Sequence, residues 1–232
     1  LTNDDVLSWY VKHFQAKRKF LFFPIIQKDQ DFRLLLENAL PVSKILEDTY
    51  HLEGRQVLLF VGRLIDIKNL FFLLDALALV VNRYPKVILL FVGDGDQRVA
   101  LERHAERNGL ADHVIFAGKK QGEDLYACYN VGQIFVLPSY YERFGAVVNE
   151  ALLAGCYTLC SVVAGAACLI EPQKNGDLFD PASKTYLAEK LAQSLKDCEG
   201  LKQISLKANK MCYSYDQYIT SFFNQLNSII DK

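Results

Sequence analysis

The sequence predicts a doubly wound, mostly parallel α/β sheet, and three observations carry that prediction. Apolar runs of strand length recur at Val57 to Val61, Val87 to Val92, Val114 to Ala117, Ile134 to Leu137 and Tyr157 to Val162. They are near-continuous rather than alternating, as in strands buried on both faces. A stretch of helical character separates each run from the next, which is the rhythm of α/β folds. Glycine or proline ends four of the runs, at Gly62, Gly93, Gly118 and Pro138. Those positions mark the carboxyl edge of the sheet, where open α/β sheets bind their ligands.

Taken in order, Val6, Leu7, Tyr10, Val11 and Phe14 recur at helical spacing behind the caps Asn3 or Asp4, so residues 1 to about 20 read as a helix. Phe20 to Phe23 form a short apolar strand stopped by Pro24. Residues 27 to 41 are mixed, end at Pro41 and read as a connection, and Ser43 to His51 carry another helical pattern. After the first buried strand a helix runs from Leu70 to Val81. A polar helix covers Gln97 to Asn108 and is closed by Gly109, and a further helix spans Gly122 to Asn130. Pro138 to Ala151 then lead out of the fourth strand into an apolar helix. Beyond the fifth strand, Leu178 and Phe179 suggest a short sixth. Leu187, Leu191 and Leu195 mark one later helix, and Tyr215 to Ile230 a last one. Neither an internal repeat nor a low-complexity segment interrupts the order.

At 232 residues, the chain is long enough for one large or two small domains. A hydrophobic content of 51% with 23% charged residues is that of a folded globular protein. The net charge of -1 argues against a partner held by bulk electrostatics, so nucleic acid is not expected. No apolar run approaches the roughly 20 residues that a membrane-spanning helix needs. The six cysteines, Cys128, Cys156, Cys160, Cys168, Cys198 and Cys212, form no Cys-x-x-Cys pair and have no histidine at zinc-finger spacing. Several lie in apolar patterns, so free thiols in a reducing compartment are expected. The chain starts at Leu1 and its single methionine is Met211, so it is expected to be a piece of a longer protein.

Two carboxylates and two cations carry the chemistry. Glu142 precedes the helix after the fourth strand and Glu150 lies inside it, with Gly145 between them. Helix starts present unpaired N–H donors and partial positive charge, which suit phosphate, while carboxylates accept from hydroxyl pairs, which suits sugars. A glycosidase acid–base pair is the alternative for the two glutamates, but the helix and glycine turn between them do not favour it. Read as structure alone, Glu142 is a surface carboxylate and Glu150 a helix residue paired with a cation. Gly62-Arg63-Leu64-Ile65-Asp66-Ile67-Lys68 places two cations on the same edge. Arg63 offers a planar fork and Lys68 a point charge for phosphate; as plain structure, both are solvated loop residues. Gly93-Asp94-Gly95 begins like a dinucleotide fingerprint, but Arg98 stands where the third glycine belongs, and a tight turn is the simpler account. None of His13, His51, His104 and His113 is expected to be catalytic. Cys156 and Cys160 read as core.

In order and at familiar distances, the chain carries Phe60-Val61-Gly62-Arg63 with Lys68-Asn69, Val92-Gly93-Asp94-Gly95, Phe116-Ala117-Gly118, Leu137-Pro138-Ser139, Glu142-Arg143-Phe144-Gly145 through Glu150-Ala151, and Asn175-Gly176. Over about residues 42 to 200 it resembles the C-terminal, nucleotide-sugar-binding half of retaining glycosyltransferases of family 4, which have the GT-B fold. The Glu-x7-Glu element is the most specific part of that likeness. The resemblance implies that Arg63 and Lys68 hold the diphosphate and that Glu142 binds hydroxyls of the donor sugar. It implies backbone donors at Phe144, Gly145 and Ala146 for sugar and phosphate, and amides of Val147 and Val148 near the phosphates. Glu150 would take the ribose hydroxyls, while Gly62, Gly118 and Lys119 frame the diphosphate and base. It further implies a UDP-sugar donor of hexose type, no metal or other cofactor, retained anomeric configuration, and a glycan or glycolipid acceptor.

Domain boundaries follow from the same likeness: residues 1–41 as the end of an N-terminal acceptor domain plus linker, 42–200 as the donor-binding domain, and 201–232 as C-terminal helices packing back toward the other half. The transferase would be cytoplasmic, with peripheral contact at the inner face of a membrane, and this piece alone would be inactive. The chain departs from the family pattern at two places, one after the fifth strand and one before the fourth. Ala164, Gly165 and Cys168 stand where a glycine pair and a glutamate are common, which leaves sugar identity open. Gln133 replaces a common aspartate and is read as structural. A GT-B-fold epimerase or phosphorylase, and a non-catalytic interaction module on the same fold, are the competing readings.

Overall fold

The computed structural model describes residues 23–198 and 206–230. The helix expected over residues 1 to 20 and the strand at Phe20 to Phe23 fall outside them, except Phe23, whose ring stands edge-on to Phe222 at 5.7 Å.

Six parallel strands form one sheet: β1 (Gln56–Val61), β2 (Val87–Val92), β3 (Val114–Gly118), β4 (Ile134–Leu137), β5 (Tyr157–Ser161) and β6 (Gly176–Phe179), in the order β3-β2-β1-β4-β5-β6. The helices are α1 (Asp29–Asn38), α2 (Leu40–Thr49), α3 (Leu70–Ala78), α4 (Arg98–Arg107), α5 (Glu123–Val131), α6 (Val147–Leu153), α7 (Lys184–Asp197) and α8 (Tyr215–Ile230). The doubly wound expectation holds strand by strand. Side-chain alternation explains why both faces are apolar. Val57, Leu59 and Val61 face a core shared with α1, α2, α5 and α6, while Leu58 and Phe60 face one shared with α3, α4 and α7. Ile88, Leu90 and Val92 divide from Leu89 and Phe91 in the same way.

Residues 27–41, expected to be a connection, hold a helix instead. Phe32 and Leu36, one turn apart, are both buried in the first of these cores, and the Phe32 ring packs edge-on to Tyr126 at 5.5 Å. Pro41 does not end the segment; it occupies the first turn of α2, where its missing N–H costs nothing. The helix after β1 stops at Ala78, short of the expected Val81. Gln133 has the structural role read for it: its side-chain carbonyl accepts from the N–H of Val57 at 3.2 Å, tying the start of β4 to β1. Gly93 is required by backbone packing, since a Cβ there would lie 1.8 Å from the carbonyl oxygen of Gly62. That contact seats the β1 and β2 loops against each other.

The strand order reverses between β1 and β4, which pair directly through Leu58 with Ile134 and Leu59 with Phe135. The loops leaving these two strands therefore flank the topological switch point, the usual ligand crevice of such sheets.

Candidate donor site at the sheet switch point

The loop after β1 turns through a short 3-10 helix, Asp66–Lys68, before α3. The loop after β4 runs alongside it. The N–H of Tyr140 donates to the carbonyl of Ile67 at 3.2 Å, and the Tyr140 hydroxyl donates to Asp66. These contacts bring the ammonium of Lys68 onto the carboxylate of Glu142, 74 positions away in sequence. The two side chains are 14% and 16% exposed, so the pair is partly desolvated and neither member is the solvated loop residue that a plain structural reading would give. Glu142 is anchored on its other side by a parallel bridge to Ala164, and the carbonyl of Phe144 accepts from Ala166 at 2.7 Å. The Ala164–Cys168 departure thus forms the wall behind Glu142: Ala164, Gly165 and Ala166 are buried, and Cys168 is exposed.

Gly145 sits between the carboxylates at φ 91°, a conformation that L side chains rarely adopt. A Cβ there would lie 2.8 Å from Cδ2 of Leu137 and 3.2 Å from Cγ of Glu142. The chain then enters α6. The N–H of Val148 donates back to the carbonyl of Gly145 at 2.9 Å, whereas those of Gly145, Ala146 and Val147 have no backbone acceptor among the described residues. They are the unpaired donors that a helix start leaves. Phe144 and Val148 are buried and hold the turn from below.

Glu150 has a different environment. Its partner is the phenol of Tyr129 on α5, whose O–H donates to Oε2 at 2.6 Å. Burial pushes the Glu150 carboxyl above its ordinary range, and the Tyr129 bond pulls it back. Tyr129 is fully buried, and its phenol is held up by burial and then by the Glu150 charge beside it. Sequence reading did not single out Tyr129, which sits among Ala127, Cys128 and Val131 on a buried helix; its one signal is a buried tyrosine's need for a hydrogen-bond partner.

A cleft of about 410 Å3 opens where the β1, β2 and β3 loops meet, lined by Gly62, Arg63, Gly93, Asp94, Lys119 and Lys120 among others. It brings Arg63 and Lys119 together at one edge, and Lys120 and Asp94, which no sequence motif marks as site residues, line it with them. Gly118 lies at the end of β3, where its carbonyl accepts from the N–H of Gly93 at 2.9 Å. The expected residues thus fall into three groups: the cationic cleft and the Lys68–Glu142 pair with the Gly145 turn beyond the strand ends, and Glu150, on the helix that the turn begins, with Tyr129. The described histidines lie elsewhere: His51 is exposed after α2, His104 pairs with Asp75 at 2.6 Å, and Nδ1 of His113 lies 2.9 Å from the carbonyl of Val87. Burial pushes the Cys128 thiol up to about 12 and the Cys198 thiol up to about 11, and raises those of Cys156 and Cys160.

Residues 43–211 match the family described as Glycosyl transferases group 1. The chain belongs to that family. An uncharacterized glycosyltransferase of Methanocaldococcus jannaschii is 31% identical over 161 residues, covering 69% of this chain and 41% of the relative. Sulfoquinovosyl transferase SQD2 of Arabidopsis thaliana is 28% identical over 192 residues, covering 82% of this chain and 34% of the relative. This group 1 chain therefore spans less than half the length of these curated relatives. Among solved structures, a glycosyltransferase from Rickettsia africae ESF-5 superposes with a TM-score of 0.75 at 15% identity, covering 99% of this chain and 62% of that one. HepE of Anabaena, crystallised with UDP, gives 0.68 at 21% identity, covering 92% and 57%. These likenesses establish the fold as the Rossmann-like half of GT-B glycosyltransferases. No helix among the described residues is long and apolar enough to cross a membrane.

Proposed function

We propose that this chain is the donor half of a retaining glycosyltransferase, that its donor is a UDP-sugar of hexose type, and that it works without a metal ion. The observation that carries the reading is the meeting of Lys68 and Glu142 beside the Gly145 turn, with Arg63 on the same edge and Glu150 in the helix that the turn begins. One ligand that is both polyol and diphosphate uses all of these groups. Arg63 and Lys68 take the diphosphate and offset the charge that develops on it as the glycosidic bond breaks. Glu142 accepts from hydroxyls of the sugar, and its ion pair keeps Lys68 poised between sugar and phosphate. The unpaired N–H groups of Gly145, Ala146 and Val147 supply directional donors to the oxygens. Glu150 accepts from the ribose hydroxyls, while Gly118 and Lys119 frame the base.

The acceptor, a glycan or a glycolipid, is bound in this reading by a further domain of the whole protein. The 232 residues then bind donor without transferring it, and robust transfer by this chain alone would refute that part. Calorimetric titration with UDP, GDP and ADP tests the rest. UDP is expected to bind, and Arg63→Ala and Glu150→Ala each to weaken it about tenfold or more, the effect of removing one charge-assisted contact. If no nucleoside diphosphate binds, or if binding is indifferent to both substitutions, the chain is an interaction module on a transferase fold.

A further inference from the structure

We propose that Tyr129 is a positioning residue for ribose recognition: its hydroxyl fixes the Glu150 carboxylate by Oε2, so that the remaining acceptor sites are presented to the vicinal diol of a nucleoside diphosphate. The inference rests on the donor reading above and goes beyond it by adding a residue that would never touch the ligand.

The geometry is specific. Tyr129 leaves α5 fully buried, and its O–H reaches Glu150 Oε2 at 2.6 Å. Its ring is packed by Phe32 of α1, 6.3 Å away at a steep angle, and by Phe135 of β4 at 6.5 Å. Its own carbonyl accepts from the buried ammonium of Lys207 at 3.2 Å, so backbone and ring are both held. A phenol fixed in this way has little freedom to point elsewhere. A carboxylate has about four acceptor sites on two oxygens, and the phenol occupies one. No described residue donates to Oε1.

Two consequences follow for the site. The bound phenol sets the plane of the carboxylate, which converts a rotating acceptor into an oriented one. It also favours the ionised form against burial, and only that form accepts with both oxygens. Besides Tyr129 itself, the titratable groups bearing on this pair are the thiols of Cys128 on α5 and Cys156 ahead of β5, both buried, and the Lys207 ammonium on the Tyr129 carbonyl.

The test compares UDP with 2′-deoxy-UDP on the whole chain, unsubstituted and as Tyr129→Phe, in the presence and absence of Glu150→Ala, by calorimetry between pH 6 and 8. Tyr129→Phe removes one oxygen and keeps the ring. It is expected to weaken UDP about tenfold, to weaken 2′-deoxy-UDP less, and to lose more affinity at pH 6 than at pH 8. In the Glu150→Ala background, which leaves the phenol nothing to orient, it should change little, because its effect runs through the carboxylate. A Tyr129→Phe protein with unaltered UDP preference and pH profile, or one losing equally in the Glu150→Ala background, overturns the inference while leaving the donor reading intact. Failure of the unsubstituted chain to bind UDP sinks the donor reading and this inference together. A measurement independent of how Tyr129→Phe folds is the preference of the unsubstituted chain for UDP over the deoxy analogue; if that preference is absent, the inference falls.

Discussion

Glu142 leaves the loop after β4 with a cation against it, and Glu150 leaves α6 with a phenol against it. In sequence the two are the same residue eight positions apart. In the fold, one is a charge held in a partly desolvated ion pair across two loops. The other is a carboxyl pressed into the α5–α6 packing, where burial disfavours its charge. A spacing motif therefore does not make two equivalent groups. The Glu142 end is electrostatic and depends on the switch-point loops lying side by side. The Glu150 end is a packing feature, inherited from the buried face of a helix, and its charge is maintained at some cost to the fold.

The largest effect is expected from removing the cations of the Glu142 end. Arg63→Ala with Lys68→Ala should lower UDP affinity about a hundredfold, near 2.7 kcal/mol at two decades. Glu142 would be left next to the incoming diphosphate with no positive charge between them. Isothermal calorimetry reads the loss directly, and a combined effect under tenfold would mean that the backbone donors, not the cations, hold the phosphates. Next in size is Gly145→Ala, which strains the hinge between the two carboxylates. The positive φ and the 2.8 Å approach to Leu137 predict a loss of about 2 kcal/mol, a drop in melting temperature of roughly 4 to 8 °C for a chain of this size. A Gly145→Ala protein that melts like the parent would show that the turn is slack and does not aim the Gly145–Val147 donors.

Much of this arrangement is legible in the sequence because parallel sheets write themselves as unbroken apolar runs. Val57 to Val61 and Val87 to Val92 need burial on both faces, and the structure gives it to them. The glycine at the end of β2 is legible for a packing reason: Gly93 abuts the Gly62 carbonyl, and no side chain fits there. What the residues alone do not disclose is pairing across the sheet order. That Lys68 meets Glu142 depends on β1 and β4 becoming neighbours, a contact between segments 74 positions apart. Tyr129 is invisible for a related reason, since its apolar neighbours make it read as core and only the fold sets its hydroxyl on Glu150. Residues 27–41 mislead differently. Their polar positions suggest a connection, while two buried residues one turn apart, Phe32 and Leu36, suffice to dock a helix.

The smallest expected effects carry opposite signs and so separate the two glutamates most cleanly. Glu142→Gln leaves Lys68 without its counter-charge in a setting that is 14% exposed, and should cost about 1 kcal/mol of stability at pH 8. Glu150→Gln should do the reverse. The folded Glu150 carboxyl titrates above its ordinary value, so the native state binds a proton more readily than the unfolded chain does. That contribution is fully present below the ordinary carboxylate range and is lost as pH rises through the raised folded value. A glutamine keeps an acceptor for the Tyr129 hydroxyl and never ionises. The variant should therefore be the more stable protein at pH 8, with the gain shrinking as pH falls. Melting curves of both variants from pH 4 to 8 decide the matter. If Glu150→Gln instead lowers the melting temperature at pH 8, the buried carboxylate is a net stabiliser there and the contrast between the two ends collapses. If it raises the temperature while UDP binding falls, the fold is holding a strained charge for its ligand.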